Sequence, residues 1–443
     1  IRWQLIGRTI DHDGDYMLSQ TMAFKTPAIG AEILVPGTGV YGAGDTAFEA
    51  GEYAPLRWVD GLGHYLLQSY ENVINKQTIQ AFTYLYPHLY DRILGESDSV
   101  LGESIGYFGN DTTNATTEAA AVAFALGERY IYVELPMFYN TSTTSAFQYV
   151  CSLYEDVIVN VEFAARNDCW RTSNFGHDGT SVTWGTATFK AKNLSTFKQT
   201  NVDGTETNEI AVGDDVSGYD DLQDSDLEAW LISEMAVETP AVRNKFLLAP
   251  YEQLITQTQR METTLRTPND QNYLTRGSSY KEDIDMNNMS FLIKMLFTVV
   301  RRSTDIEAKD YFNFCAITRN NYAEDPILNI QFKIDNNEMY HWTQAGYYRL
   351  AHPVKYGNRK NEDSMIYVNA FALKAEKSEY TSGIGANKGN RFRQILTIDK
   401  AAHIVTPAKT DVAAVRTSLV VEHQALVANL IRSLGGYSAI RLH

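Results

Sequence analysis

Short runs with a two-residue hydrophobic period, cut off by Gly, Asn or Asp, recur along almost the whole chain. DYMLSQTMAF follows an Asp13-Gly14 turn signal, YENVINKQTIQAF reads as strand, Asn75-Lys76 turn and strand, and YIYVELPMFY and EDVIVNVEFA follow. AWLISEMAVETP at 229–240 resumes strand character, and a second series over 251–443 comprises EQLITQTQRME, SFLIKMLFTVV, YFNFCAI, ILNIQFKI, SMIYVNAFAL, RQILTID and TSLVVEHQALVANLI. Successive side chains of extended backbone point to opposite faces, so alternation gives a strand one face for a core and one for solvent. Asp-Gly and Asn-containing steps supply the left-handed backbone of tight hairpins. The pair Asn336-Asn337 after ILNIQFKI is a further such signal. TYLYPHLYDRIL reads as a short helix or an irregular crossover, and the last run, TSLVVEHQALVANLI, has strand-like and helix-like portions. The pattern predicts an all-β chain built from two sandwiches or barrels.

Length fits that division, since 443 residues suit two large domains. Pro240 to Pro250 brackets a linker. Residues 166–228 are rich in Gly, Thr, Asn and Asp and end in GDDVSGYDDLQDSD. They read as a surface insertion between strands, partly ordered into hairpins such as SVTWGTATFKA, with the acidic end a solvated loop. Lys plus Arg is 38 against 54 Asp plus Glu, a net charge of −16, which argues against contact with a phosphate backbone. Three cysteines, Cys151, Cys169 and Cys315, are too few and too scattered for a disulfide framework or a cysteine zinc site, and point to a reducing compartment. Cys151, inside AFQYVCSLY, reads as a buried thiol. No apolar run reaches the ~18–20 residues that cross a bilayer; MSFLIKMLFTVV is short and carries Lys294. The chain opens at Ile1, which reads as a missing true start.

Motifs that imitate chemistry fail on context. GTGVYG at 37–42 fits a dinucleotide-binding glycine pattern, but the following AGDTAFEAGEYAP does not open the helix whose N-terminus would hold a pyrophosphate. GESIG at 102–106 centres on Ser104, without the buried strand and helix of a nucleophile elbow. DHDGD at 11–15 lacks the glycine and glutamate of a calcium loop and reads as a turn. Glu155 and Asp156 are adjacent on a strand, hence on opposite faces, unlike a glycosidase acid pair. Neither HExxH nor GxxxxGK[ST] occurs, and the histidines do not cluster at ligand spacing. No catalytic, cofactor or metal residue is expected. Five N-x-S/T sequons occur, at Asn110, Asn114, Asn140, Asn193 and Asn288; Asn110, Asn114 and Asn193 are the candidate glycosylation sites.

The order of several segments carries a resemblance. TIDHDGDYML is similar to an I-x-R-x-G-D-[LY]-[IL] hairpin through Gly14 and Asp15, with His12 in place of Arg. LLQSYENVINKQTIQAF matches a strand–turn–strand with Asn75-Lys76-Gln77 as its turn, and YVELPMFYN matches L-P-[FL]-[FW]-F through Leu135, Pro136 and Phe138. SAFQYVCSLYEDVIV is a looser match to A-L-P-L-x-x-L-x-Y-x-E-[VI], with Gln148 in place of Pro. Glu252, Leu254, Ile255 and Gln257 fit E-x-L-I-x-Q, and NIQFKIDNNEM resembles a strand whose turn reads Asn-Gly in relatives. Gly346, Tyr348 and Pro353 approximate G-x-Y-x(5-6)-P. Phe371, Ala372, Leu373, Ser382 and Gly383 fit [YF]-x-[FY]-A-L-x-P…P-[ST]-G without its prolines, and ANLIRSLGG resembles a terminal N-x-L-R-I strand. Taken in this order, the chain resembles the double jelly-roll major capsid proteins of the nucleocytoplasmic large DNA viruses.

The resemblance implies an all-β fold of two antiparallel eight-stranded jelly-roll sandwiches side by side, over about 1–238 and 251–443 with a linker at 239–250. Relatives also have an N-terminal arm and a strand before the Gly-Asp hairpin. It implies a structural, non-enzymatic protein that forms pseudo-hexagonal homotrimeric capsomers of an icosahedral shell. Expected partners are further copies of the chain, neighbouring capsomers, minor capsid and penton proteins and internal membrane-associated proteins, with no direct nucleic acid. The expected location is the virion shell, assembled in the host cytoplasm. The alternative reading is a carbohydrate-binding or carbohydrate-active β-sandwich, suggested by aromatic content and polar loops.

Overall fold

In the computed structural model, residues 15–27, 53–95, 104–107, 128–140, 145–152, 157–165, 227–267, 278–289, 291–307, 309–315, 317–319, 322–335, 337–357, 365–375, 381–385, 391–404, 417–434 and 437–440 are described, with short stretches at 2–4, 32–34, 121, 124–125, 168–172, 198–200 and 206–209. The C-terminal half is a sandwich of two antiparallel sheets. One has the order Tyr251–Leu265, Leu419–Leu434, Leu292–Arg302, Ile366–Ala370, and the other Ser279–Asp285, Phe392–Asp399, Ile327–Ile334, Asn337–Gln344. Numbered along the chain, these orders are 1-8-3-6 and 2-7-4-5, the connectivity of a jelly roll. The long pair runs in register from Tyr251↔Ser433 to Leu265↔Leu419, so the ambiguous last run is one sixteen-residue strand. Between the sheets lie Ile293, Leu296, Val300, Ile330, Phe332, Leu396, Ile398 and Val427. Each such side chain contributes roughly 1.5–3 kcal/mol on burial.

The N-terminal half repeats the plan. One sheet has the order Arg2–Gln4, Val157–Phe163, Leu67–Ile74, Gln77–Phe82, matching the second sandwich's 2-7-4-5 sheet strand for strand. Facing it are Glu228–Ala236, Tyr16–Thr26 and Arg129–Glu134, in positions 8, 3 and 6. Among the described residues no strand pairs with the remaining edge of Glu228–Ala236, where Tyr251–Leu265 sits in the second sandwich. Leu231 and Met235 therefore point at the core yet stay only half-buried. The hairpin between Leu67–Ile74 and Gln77–Phe82 turns on Asn75 and Lys76, both left-handed at φ 48° and 63°. A helix, Leu85–Ile93, follows it.

Loops of the first sandwich add a sheet of short strands. Glu32–Leu34 and Tyr53–Trp58 are joined by Trp170–Thr172 on one side and by Lys198–Thr200 and Glu206–Glu209 on the other. The last two form a hairpin inside the expected insertion at 166–228; SVTWGTATFKA lies outside the described residues.

Three local expectations change. YFNFCAI is not one strand: 311–315 is turn and irregular backbone, and a short strand begins only at Ile317. Tertiary burial explains its apolarity, because Tyr311, Phe312 and Phe314 enter the core of the first sandwich and Cys315 that of the second. The segment between Pro240 and Pro250 contains a helix, Pro240–Leu248, with Pro at its first turn where no N–H is needed. The turn after ILNIQFKI falls one residue early: Asp335 has φ 50°, and Asn337 already opens the next strand opposite Ile334. All three cysteines are free and buried, and burial raises the Cys151 and Cys315 thiols to about 11 and Cys169 to about 12.

Candidate functional site: the seam between the sandwiches

MSFLIKMLFTVV lacks strand alternation, and the seam explains why. A bulge between Ile293 and Met295 shifts the pleat of Leu292–Arg302, after which Leu296 and Val300 face their own sandwich while Met295, Phe297 and Val299 face the first one. Met295, Phe297 and Val299 pair laterally with Ala370, Val368 and Ile366 of the neighbouring strand, which also face the first sandwich. A sheet buried on both faces needs apolar residues at every position.

The seam's other surface is the edge strand Gln77–Phe82 and the helix after it. Gln257 and Thr258 donate from their side chains to the carbonyls of Ile79 and Ala81. Gln253 Nε2 donates to the carbonyls of Ser145 (2.8 Å) and Ala146 (3.1 Å), and Gln77 Oε1 accepts from the Ile440 amide at 2.9 Å. Side chains of one sandwich thus satisfy groups of the other that burial would orphan. Phe312 stacks on His88 at 4.1 Å, and Tyr311 stacks on Tyr65 at 3.7 Å.

A charged cluster closes one side. Both oxygens of Glu422, 1% exposed, are held by arginines: Oε2 by Arg301 Nη2 and Oε1 by Arg260 Nε at 2.5 Å. Arg301 also donates to the Tyr311 carbonyl (3.3 Å) of its own half and, across the seam, to the Tyr84 hydroxyl (2.7 Å), which binds it to the first sandwich. Burial opposes the charge on Arg301, but Tyr84 and Glu422 outweigh it and hold its pKa above the ordinary value. A buried ion pair adds little net stability, but removing one partner strands a charge, so the cluster fixes how the sandwiches meet.

The family-like segments act at joints. Asp15 of the Gly-Asp motif is buried, accepts from the Glu238 amide (2.7 Å) and forms an ion pair with Arg243 (Oδ1 to Nε 2.8 Å), tying the first sandwich to the linker helix. Gln80 clamps the Leu-Pro segment, donating to the Pro136 carbonyl (3.1 Å) and accepting from the Phe138 amide (3.2 Å). Gln257 of E-x-L-I-x-Q crosses the seam. A Cβ on Gly383 would stand 2.5 Å from the Leu292 side chain and 3.0 Å from the Ile293 carbonyl, so only glycine fits there.

Sequence reasoning alone does not find Arg301, Arg260 or Glu422; the one signal was the unbroken apolar run beside Arg301. The candidate glycosylation residues Asn110, Asn114 and Asn193 lie outside the described residues, as do 37–42, 11–14 and the pair at 155–156. Of the other sequons, Asn140 is half-buried and donates to the Leu135 carbonyl at 2.6 Å, while Asn288 is exposed. Ser104 is exposed and opens a helical turn. Among the described residues no three His, Cys, Asp or Glu side chains gather to hold a metal, and no helix is long and apolar enough to cross a membrane.

Comparison with known proteins agrees with this architecture. The family described as "Major capsid protein N-terminus" matches residues 8–210, and "Large eukaryotic DNA virus major capsid protein" matches residues 243–436. No curated protein matches the chain. Among solved structures, the capsid of PBCV-1 matches with a TM-score of 0.62 at 13% identity, covering 100% of this chain and 92% of that one. The Faustovirus major capsid protein matches with a TM-score of 0.62 at 11% identity, covering 95% and 86%. At these identities the structural matches establish the fold alone. The two family matches run consecutively along the chain, one on each sandwich, and the chain belongs to the double jelly-roll major capsid proteins of large eukaryotic DNA viruses.

Proposed function

We propose that the chain forms homotrimeric, pseudo-hexagonal capsomers that tile an icosahedral shell. One observation carries this: two sandwiches of the same strand plan are locked side by side by a seam buried on both faces. Two equivalent units per chain make a closed ring of three chains six-sided, and a six-sided block tiles a surface. The role is structural, with no substrate chemistry. Neighbouring capsomers, penton and minor capsid proteins, and proteins of an internal membrane are its proposed partners, with assembly in the host cytoplasm. The net charge of −16 fits a shell that does not touch the genome. The test is native mass and outline: three copies of 49.8 kDa give about 149 kDa, with hexagonal profiles in negative stain. A protein that stays monomeric at high concentration overturns the reading.

A further inference from the structure

We infer that the seam carries an acid-sensitive latch: residues 309–315 of the second half are seated in the first sandwich on His88, and a proton on His88 unseats them. Such a latch acts within one chain, whatever its oligomeric state.

The segment crosses the seam with little backbone support. It follows strand Leu292–Arg302 and the helical turn Ser303–Glu307. Its amides close local turns, Lys309 onto Ile306 (3.0 Å), Asp310 onto Asp305 (2.8 Å) and Asn313 onto Asp310 (3.2 Å), until the Cys315 amide returns to the Val300 carbonyl at 2.7 Å. Among the described residues no strand of the first sandwich pairs with it. Side chains hold it instead. Tyr311, Phe312 and Phe314 enter the first core, while Lys309 Nζ and the Tyr311 hydroxyl each donate at 3.3 Å to the carbonyls of Trp170 and Asp168. A segment seated by rings rather than by a ladder can open without unfolding either sandwich.

Phe312 is the fully buried ring of the three. Gly61 lets it in, since a Cβ there would stand 2.8 Å from the ring. The floor of its socket is His88, stacked at 4.1 Å and within 18° of parallel. His88 is itself buried, and its Nδ1 has no hydrogen-bond partner among the described residues, so a proton bound there would lack an acceptor. The charges that act on His88 oppose a proton as well. Arg92, one turn along the same helix, lies 4.3 Å over the Tyr107 ring, which packs on His88 at 5.3 Å. His64, from the short helix Leu62–Leu66, meets His88 edge-on at 5.6 Å. The nearby carboxylates are engaged elsewhere: Asp91 Oδ2 stands 2.9 Å from His64 Nε2, Asp60 pairs with Arg57 at 2.8 Å, and Asp60 and Asp310 act on Tyr107. The second half presents the rings of Phe312 and Phe314. Burial, Arg92 and His64 together push His88 well below its ordinary 6.5.

Once the latch opens, His88 regains that ordinary value. Above pH 6.5 it is neutral in both forms and the latch keeps its full strength. Below pH 6.5 the open form binds a proton that the closed form refuses, so each pH unit favours opening about tenfold until the closed-form value is reached. From pH 7 to pH 5 the open population rises roughly 25-fold. Acid therefore loosens, at the contact between its two sandwiches, a block that is rigid at neutral pH.

The test is amide hydrogen exchange of the full chain at pH 7 and pH 5, each rate divided by the intrinsic rate at that pH. In wild type, protection of 309–315 and of Leu85–Ile93 is expected to fall roughly 25-fold between the two. His88→Phe keeps a ring under Phe312 and cannot ionise, so the fall is expected to vanish; His88→Gln, which also cannot ionise, is expected to do the same and serves if the larger ring disturbs folding. His423→Gln, in the core of the second sandwich, is expected to leave the fall intact, because opening the latch keeps His423 buried. Protection that does not change with pH in wild type, or a fall that survives both His88 variants, overturns the latch. A fall abolished by His423→Gln overturns it too, because the segment then opens only when the whole chain unfolds.

Discussion

In the second sandwich, the outer face of the sheet that includes Leu292–Arg302 carries Met295, Phe297, Val299, Ile366 and Val368, all buried against the first sandwich. In the first, the same place in the fold carries Ser19, Thr21, Tyr130, Tyr132, Trp230 and Ile232 and is open, with only Ala23 buried between Tyr132 and Trp230. Sheet geometry is shared, so side-chain chemistry makes the difference. An aliphatic face with Phe297 at its centre never meets water once the chain has folded. A face of tyrosines, a tryptophan and small polar residues remains soluble in a lone chain and still offers contact area, because Tyr and Trp combine apolar bodies with polar tips. Charge follows the same division. The seam confines Glu422 between Arg301 and Arg260, whereas the open face has Lys25 near Glu128 (3.4 Å) and Glu228 (3.8 Å), both carboxylates more than half exposed.

The largest expected effect breaks the seam without touching the open face. Glu422→Gln leaves Arg301 buried with a neutral partner and is expected to cost about 3–5 kcal/mol in urea unfolding. Replacing Arg301 by Met and Glu422 by Leu together is expected to recover most of that loss, since an apolar pair leaves no stranded charge. If Glu422→Gln alone is silent, the cluster does not hold the sandwiches together, and the contrast reduces to hydrophobic content.

Acid is expected to act next. Burial lowers His423 to about 3, and burial with Lys355 nearby lowers His352 to about 4, against an ordinary value of 6.5. Below pH 6.5 the unfolded chain takes up protons that the folded chain refuses. Stability is therefore full above that pH and falls as pH drops, by up to ~1.4 kcal/mol per unit for each histidine. The His352 contribution is spent near pH 4 and that of His423 near pH 3. Unfolding free energies from urea titrations at pH 7 and pH 5 should differ by about 2–4 kcal/mol. His423→Gln, which cannot ionise and keeps a hydrogen-bonding partner for Gln394, should flatten the slope. An unchanged slope would mean that His423 is protonated in the folded protein.

How much was legible in the sequence follows from which interactions are local. Asn75-Lys76 and the alternation of DYMLSQTMAF marked a turn and a strand, because backbone conformation and one-sided burial act within a few residues. The YFNFCAI segment misled because its rings are buried by a different sandwich, a fact with no local trace. The same holds for Glu422, whose partners Arg301 and Arg260 lie 121 and 162 residues away. In EAWLISEMA the signal was present in another form: Trp230 and Ile232 alternate with Leu231 and Met235, so both faces of the strand are apolar. A strand apolar on both faces has a second surface to cover.

Asp15 permits a finer separation of the two regions. Asp15→Ala removes the acceptor of the Glu238 amide and the partner of Arg243, and is expected to cost about 1–3 kcal/mol. The linker helix should then exchange its amide hydrogens faster while strand Leu292–Arg302 stays protected. Equal loosening of both would show that the linker helix and the seam unfold as one unit.

The smallest effect is the most discriminating. Trp230→Ser and Ile232→Ser alter side chains that are nearly half exposed, and in the monomer each is expected to change stability by no more than about 0.5 kcal/mol. Phe297→Ala, at the matching sheet of the second sandwich and fully buried, is expected to cost about 3–5 kcal/mol under the same conditions. The ratio of the two losses measures how far equivalent faces have diverged. If Trp230→Ser costs as much as Phe297→Ala in the isolated chain, the open face is already covered within the monomer and is not free for a second copy. If its cost appears only at concentrations where chains associate, the free energy of that side chain belongs to the junction between copies, as the free energy of Phe297 belongs to the seam.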